Sequence, residues 1–501
     1  MKVTKINESF SWLEGNSQEL KQIHEFLKVE VDNAIFDPLI KRGFKSRYEM
    51  FSFYDKDKTK LCVFNGHLKL LEKFNVEYGK YEKETFFTDE EIQEYLDNVK
   101  LPYKLYDYQE NIVKDSLKVG RQINVSCTSS GKSLSIACIC DFLRTKNLKG
   151  LLLVPNINLL TQFKSDIESY HLTDLLNEVE ILGDGNVPTF KKKLLISTWQ
   201  SLDNHRDKLD FDYLIGDEGH RYSAKVSTDI IKNLVKTKIR LCFTGTFPDS
   251  QVSKMTLLGL FGMPKTFIRA HQLIERGLGT PITNRSIIFE YNNEFKSLLR
   301  STSNYSKLLK LIKEKEERNN IIVKLACKLR EQNENTLVLF SHTEHGKDLF
   351  LKTMKQLYPE VEVENKDITG KKSFEFQKQY KVFFLNGEDD SKTRELTRKI
   401  LEEEEGTILI ACYPLLSTGV NIRQLHNMIL ASPLKSYTTI TQSIGRLMRK
   451  HPKKSLAKVF DLVDDLGVRK RGGVFYKQYQ HRLQTSYNPE GYCIQETVIK
   501  I

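Results

Sequence analysis

From Tyr103 onward, short apolar runs alternate with stretches whose apolar positions recur at helical spacing. The runs Gln122–Cys127, Gly150–Val154, Leu194–Thr198, Tyr213–Gly216 and Ile239–Thr244 read as strands. A Gly/Pro-bearing stretch at Gly277–Pro281 interrupts them. The pattern then resumes at Thr336–Phe340, Lys381–Leu385, Thr407–Cys412, His426–Leu430 and Lys458–Leu462. Strands that alternate with helices predict βαβ units and a parallel sheet with helices on both faces. A long helix is expected from Asn304 to Glu331. The fold class is therefore α/β, with two tandem parallel-sheet domains of similar size at residues 98–281 and 282–466.

Residues 1–97 have a different texture and read as a small α+β accessory domain. Ser17–Leu27 is amphipathic and predicts a helix, while Val29–Phe36 and Glu49–Tyr54 alternate as strands do. Leu68–Phe74 predicts a second helix. Thr88-Asp89-Glu90-Glu91 reads as an N-cap with first-turn carboxylates, opening a helix that runs to about Val99. Leu101-Pro102 then breaks the chain. The tail, residues 467–501, carries Arg469-Lys470-Arg471 and several tyrosines, and is expected to pack on the second α/β domain.

Charge changes this picture. The 501 residues carry a formal net charge of +12. The first 100 hold 16 basic and 19 acidic side chains, so the excess lies entirely in the remainder. A basic bulk suits a polyanionic partner, because each neutralised phosphate releases counterions; solubility is the alternative reading. The eight cysteines are dispersed without a CxxC pair, so thiolate zinc sites and redox dithiols are not indicated. No apolar run reaches the roughly 18 residues of a membrane span, and the opening residues have no apolar signal core. A cytoplasmic location and no membrane partner are the resulting expectations.

Three local patterns carry chemistry. Cys127-Thr128-Ser129-Ser130-Gly131-Lys132-Ser133 follows a predicted strand and opens a predicted helix. Small residues there let backbone N–H groups wrap phosphates, with the helix dipole adding to the attraction. Lys132 would reach the β- and γ-phosphates, and the Ser133 hydroxyl would bind Mg²⁺. Ser126 stands where the phosphate-loop pattern has its first glycine. Next, Ile215-Gly216-Asp217-Glu218-Gly219-His220 ends another strand, where doubly wound sheets bind ligands. Asp217 is the candidate Mg²⁺ ligand and Glu218 the candidate base for an attacking water. His220 is placed to couple this site to the next strand end. Finally, Gln442, Arg446 and Arg449 share one face if their segment is helical. Two guanidiniums so placed suit a γ-phosphate, as arginine fingers. A solvated basic face is the alternative, since Lys450, Lys453 and Lys454 follow.

In their order and spacing these motifs resemble those of superfamily 2 helicases of the DExH type. Tyr106-Asp107-Tyr108-Gln109 resembles the Q-motif, Val154-Pro155-Asn156 with Thr161-Gln162 motif Ia, and Ser197–Leu202 motif Ib. Thr244-Gly245-Thr246 resembles motif III, Phe340-Ser341-His342 motif IV, and Ser417-Thr418-Gly419-Val420-Asn421 motif V. A narrower likeness, to the UvsW-type phage recombination helicases, rests on Phe36-Asp37-Pro38, Leu416–Gly419 and Phe460-Asp461-Leu462-Val463-Asp464-Asp465-Leu466-Gly467.

The resemblance implies two RecA-like domains and an ATP- and Mg²⁺-dependent DNA helicase or translocase that acts as a monomer on branched DNA in recombination, repair and replication. It further implies that Gln109 selects adenine, that Thr128, Ser129, Ser130 and Gly131 join Lys132 and Ser133 around the phosphates, and that Gly419 and Gln442 reach the nucleotide. Pro155, Thr198, Trp199, Ser341 and Thr418 are the implied nucleic-acid contacts. An RNA helicase would share the same ATPase core. A binding or annealing module with a vestigial ATPase is the third reading, against which the near-complete motif set speaks.

Overall fold

The computed structural model describes residues 1–32, 34–76, 86–183, 185–302, 304–369, 373–417, 422–434, 436–467 and 473–501. The chain divides into two compact units, Met1–Ile268 and Arg269–Ile501.

In the first unit seven parallel strands form one sheet. Their order is Pro264–Ile268, Arg121–Ser126, Ile239–Thr244, Tyr213–Gly216, Gly150–Leu153, Leu194–Ser197 and Val179–Leu182. Gly150–Leu153, Leu194–Ser197 and Tyr213–Gly216 are buried at every position, as strands covered on both faces must be. Arg121–Ser126, Ile239–Thr244 and Tyr213–Gly216 are neighbours, so the loops at their carboxyl ends lie side by side. This adjacency brings together residues more than a hundred positions apart.

A smaller antiparallel sheet, in the order Lys2–Lys5, Phe10–Glu14, Lys60–Phe64, Ser52–Tyr54, lies near the N-terminus. It is joined firmly to the rest of the first unit. Leu13, Leu61 and Val63 share one apolar cluster with Leu257, Leu260 and Phe261. The buried Arg240 guanidinium donates to the Ser9 hydroxyl at 2.8 Å, Arg121 donates to the Glu8 carbonyl at 2.7 Å, and His67 Nε2 lies 2.7 Å from the Met255 carbonyl. The helices Ser17–Phe26 and Asp89–Asn98 form behind capping boxes at Asn16 and Thr88. The other local expectations there need correction. Val29–Phe36 holds only a three-residue strand, Lys28–Glu30, before a 3₁₀ turn at Ala34–Phe36. Glu49–Tyr54 splits into Tyr48–Met50 and Ser52–Tyr54, which belong to different sheets. Asn65–Phe74 is a 3₁₀ segment and not an α-helix.

The second unit is also built on seven parallel strands, in the order Val382–Leu385, Ile408–Cys412, Thr336–Phe340, Asn427–Leu430, Ala457–Asp465, Ile282–Glu290 and Cys493–Lys500. The two strands added at one side were not expected from the sequence. Through Cys493–Lys500 the tail becomes the edge strand of the sheet. The expected helix Asn304–Glu331 is two helices, Tyr305–Glu314 and Glu316–Glu331, because Lys315 is extended at ψ 111°. That break starts the second helix at Glu316-Glu317, where first-turn carboxylates favour an N-terminus, and directs Arg318 inward.

Acidic residues in the strand Ala457–Asp465 have structural partners. Arg318, fully buried, donates through Nε and Nη2 to the two Asp464 oxygens at 2.7 and 3.2 Å, and through Nη1 to the Ala431 carbonyl at 2.9 Å. Arg482 donates to both Asp461 oxygens at 2.8 Å, and the Tyr487 hydroxyl donates to the same carboxylate at 2.8 Å. These pairs fasten the helix Glu316–Glu331 and the tail to the sheet. Arg318→Met leaves Asp464 buried without its cation. A loss of about 3–5 kcal/mol is expected for the second unit, read as a lower urea midpoint by circular dichroism. An unchanged midpoint would show that the pair contributes nothing net.

Among the described residues no helix is long and apolar enough to cross a membrane, and no cluster of three or more His, Cys, Asp or Glu has metal-site geometry.

Candidate functional site

The strand Arg121–Ser126 runs into a tight loop and then the helix Lys132–Thr145. Ser129 (φ 71°) and Gly131 (φ 76°) are left-handed, which turns the loop sharply at its crest. A Cβ at Gly131 would lie 2.4 Å from Gln109 Nε2, so only glycine fits without displacing that amide. Lys132 Nζ lies over the loop and donates to the carbonyls of Ser126 (3.2 Å) and Cys127 (3.3 Å). Among the described residues the buried hydroxyls of Ser126 and Ser130 have no partner. The loop thus presents a lysine and polar groups together, the donor set a polyphosphate needs.

Gln109 is buried beneath this loop. Its Nε2 donates to the Ser130 carbonyl (3.0 Å) and its Oε1 accepts from the Tyr106 N–H (3.0 Å). Tyr108 donates to the same Ser130 carbonyl at 2.9 Å, and the exposed Tyr106 ring stacks on Tyr108 with centroids 5.7 Å apart. The exposed Tyr106 ring beside the phosphate loop is a base-stacking candidate that sequence reading missed. Its signal was the paired tyrosines Tyr106 and Tyr108, whose stacking only the fold reveals.

Two strands over, the backbone turns at Glu218, a non-glycine residue in the left-handed region (φ 54°, ψ 53°). Such a residue carries roughly 1–2 kcal/mol of strain. The turn lets the Glu218 N–H donate to Asp217 Oδ1 at 2.9 Å. Asp217 is half-buried, and desolvation together with the like charge of Glu218 pushes its pKa up to about 7, opposed by Lys132. His220 Nδ1 lies 3.5 Å from Glu218 Oε2 and 3.4 Å from Thr244 Oγ1. Burial lowers its pKa, so it is neutral at pH 7. Thr244 ends the strand between the other two. A Cβ at the next residue, Gly245, would lie 3.2 Å from Thr128 Oγ1 and 3.6 Å from Lys132 Nζ. Lysine, paired carboxylates and histidine therefore converge on one edge of the first unit's sheet.

In the second unit Gln442 and Arg446 lie on the helix Tyr437–Leu447. Arg449 does not share that helix, which ends at Leu447 with Met448 as its C-cap. Three bonds explain the stop and fix the turn. Buried Lys454 donates to the Leu447 carbonyl at 3.0 Å, the Thr280 N–H to the Met448 carbonyl at 2.7 Å, and the Thr280 hydroxyl to the Arg449 carbonyl at 3.1 Å. Lys454 is a helix-terminal clamp here, not part of a solvated basic face. Burial and the neighbouring Arg449 lower its pKa to about 8.

Comparison with known proteins decides what this constellation belongs to. The chain is 30% identical over 381 residues to the ATP-dependent DNA helicase uvsW of Enterobacteria phage T4, covering 75% of this chain and 71% of that protein. It belongs to the UvsW-type superfamily 2 helicases. The model of the type III restriction enzyme res subunit matches residues 102–249, and that of the helicase conserved C-terminal domain matches residues 303–451. At the level of fold, a fragment described as an HsdR subunit of a type I restriction enzyme from Vibrio vulnificus YJ016 superposes with a TM-score of 0.58 at 16% identity, over 83% of this chain and 72% of that one. Saccharomyces cerevisiae Dbp5 bound to RNA and ADP BeF3 does so with a TM-score of 0.52 at 12% identity, over 82% and 93%. As a UvsW-type helicase the chain is a nucleic-acid-dependent ATPase built on two RecA-like sheets.

The residues read as nucleic-acid contacts of this helicase fall in distinct surroundings. Pro155 follows the strand Gly150–Leu153 at its carboxyl end. Thr198 is buried, and its hydroxyl caps the helix Trp199–Asp203 by accepting from the Ser201 N–H at 3.2 Å. Trp199 is half-buried and meets Tyr222 edge-on at 5.7 Å. The Tyr222 hydroxyl donates to the Asp217 carbonyl at 2.7 Å, which links Trp199 to the acidic loop through one side chain. Ser341 is exposed, with Oγ 2.9 Å from His342 Nδ1. Thr418, Gly419 and Arg469-Lys470-Arg471 lie outside the described residues. In the N-terminal region the basic tract Lys41-Arg42, Lys45 and Arg47 is partly neutralised: Lys45 pairs with Asp37 and Arg47 with Glu30.

Proposed function

We propose that this chain is an ATP-driven DNA motor that remodels branched DNA (forks, junctions and displaced-strand structures) in recombination, repair and replication. The observation that carries the reading is the 30% identity to a DNA helicase across 71% of its length. The geometry of the strand ends supports the chemistry. Lys132 and the loop Thr128–Gly131 bind the phosphates, and Gln109 holds that loop while facing adenine. Glu218 takes the proton of the attacking water, and His220 relays the state of that site to Thr244. Gln442, Arg446 and Arg449, with Gly419, act on the nucleotide from the second unit's sequence. A half-buried carboxylate at Asp217 and a first-turn hydroxyl at Ser133 are hard oxygen donors and fit Mg²⁺. Bound there, the ion would neutralise the phosphates and stabilise developing charge. Loss of the γ-phosphate releases the arginines, and this biases the grip of Pro155, Thr198, Trp199, Ser341 and Thr418 on the DNA backbone.

Residues 98–281 and 282–466 are the two motor domains in this reading, 1–97 the accessory domain, and 467–501 the extension packed on the second motor domain. The motor acts as a monomer in the cytoplasm, that of the host if the chain is phage-encoded. The test is strand displacement from labelled forks, four-way junctions, linear duplexes and RNA duplexes, with ATP and Mg²⁺. Faster processing of forks and junctions than of linear duplex is expected. Equal rates on all DNA substrates would refute the branched-DNA role, and activity on RNA alone would make the chain an RNA helicase.

A further inference from the structure

A cleft of about 960 Å³ opens in the second unit at the carboxyl end of the strand Thr336–Phe340. Its walls come from the helices Tyr305–Glu314 and Thr343–Leu357, with Ser341 and His342 at the junction. The helix Tyr305–Glu314 carries none of the helicase motifs.

The charges lining the cleft are paired, with one exception. Glu314 pairs with Lys310, Glu344 with Lys347 and Asp348 with Lys352. His345 is held between Ser432 and Asn319. Lys313 is 8% exposed, yet among the described residues its ammonium has no hydrogen-bond or ion-pair partner. Burial lowers its pKa to about 8, so the lysine is still mostly charged at pH 7. The positive charge of Lys313 in turn depresses the pKa of both His342 and His345, beyond the effect of their burial. The imidazoles therefore contribute neutral polar groups; Lys310, Lys313 and Lys352 balance Glu314, Glu344 and Asp348 along the lining, and Lys313 is the lining lysine without an ion-pair partner among the described residues. A lysine whose stem is packed into the wall and whose ammonium lacks a counter-ion is available to meet an anion in the cleft. Exposed Ser341 and His342 at the same mouth add a hydroxyl and a ring nitrogen, suited to phosphate oxygens.

We infer that Lys313, with Ser341 and His342, forms a binding site for one backbone phosphodiester of the DNA strand. This rests on the DNA-motor reading and adds to it a contact from a helix outside the helicase motifs. Lysine gives a point charge and no base readout, so the contact positions the strand without regard to sequence.

The test is fluorescence anisotropy of a labelled single-stranded DNA oligonucleotide, with an RNA oligonucleotide of the same sequence as a second arm, across a salt series. Losing one phosphate contact flattens the slope of log K against log salt by about 0.7 and weakens binding about fivefold near 0.1 M salt. Lys313→Gln is expected to show both effects, and Lys313→Arg to restore the slope. Lys310→Gln, which removes an exposed and already paired lysine, should change the slope less. Thermal unfolding of Lys313→Gln should not fall, since no ion pair or hydrogen bond is lost. If Lys313→Gln binds DNA with the unsubstituted slope and affinity, the site is refuted while the motor reading stands. If the same loss appears for RNA alone, the strand is RNA. If the unsubstituted protein binds neither oligonucleotide, both the motor reading and the site fall together.

Discussion

Glu218→Gln is expected to lower ATP hydrolysis about 10²–10⁴-fold while ATP still binds. Glutamine keeps the size of the side chain and much of its hydrogen bonding but cannot accept a proton from water. The backbone turn at Glu218 is set by its left-handed conformation and by its N–H donating to Asp217, neither of which depends on the side-chain charge. The substitution also removes the like charge that raises the Asp217 pKa. Phosphate and metal binding at Asp217 should therefore hold or improve. At 1.36 kcal/mol per tenfold, the loss corresponds to about 3–5 kcal/mol of transition-state stabilisation. Single-turnover hydrolysis beside equilibrium binding of a fluorescent ATP analogue separates the two effects. A variant that hydrolyses ATP at the unsubstituted rate removes Glu218 from the chemistry. A variant that neither binds nor hydrolyses assigns it a structural role instead.

Arg449→Ala should cost about 10³-fold in hydrolysis, the lower range for an arginine that stabilises charge on a transferred phosphoryl group. The residue lies past the helix end, in a turn whose carbonyls are held by Thr280 and Lys454. Such a turn fixes the backbone through its carbonyls, independently of the guanidinium. Truncation therefore removes the charge without collapsing its support. Nucleotide affinity should change far less than the rate, because the developing charge is greatest in the transition state. Hydrolysis at the unsubstituted rate would show that Arg449 is only part of a basic surface.

Much of the fold was legible because its central strands are continuous apolar runs bounded by turn residues. Tyr213–Gly216, Ile239–Thr244 and Thr336–Phe340 occupy the residues the pattern assigned them. Ile282–Glu290 was hidden because it carries Asn284, Arg285 and Ser286 where an apolar run would be expected. Asn284 and Ser286 are nonetheless buried, and the Ser286 hydroxyl donates to Asn284 Oδ1. Cys493–Lys500 was hidden for the opposite reason: an edge strand needs little apolar content, and most of its residues are exposed. The phosphate loop and the acidic loop were legible since each is a strand, a turn and a helix in consecutive sequence. Arg449 was misplaced because helical spacing alone does not reveal that Lys454 and Thr280 end the helix. Lys313 could not be singled out among 77 basic residues, because its burial is a tertiary fact. The acidic stretch after Phe460, which carried part of the family resemblance, proves to hold Arg318 and Arg482 in place.

The most direct measurement is steady-state ATP hydrolysis by the unsubstituted protein, with Glu218→Gln in parallel, in the absence of polymer and then with single-stranded DNA, branched DNA and RNA at two salt concentrations. Strong stimulation by DNA, greatest with branched DNA, weakened by salt and absent in the variant, is the expected result. Hydrolysis that no nucleic acid stimulates, or that RNA alone stimulates, would contradict a DNA-remodelling motor.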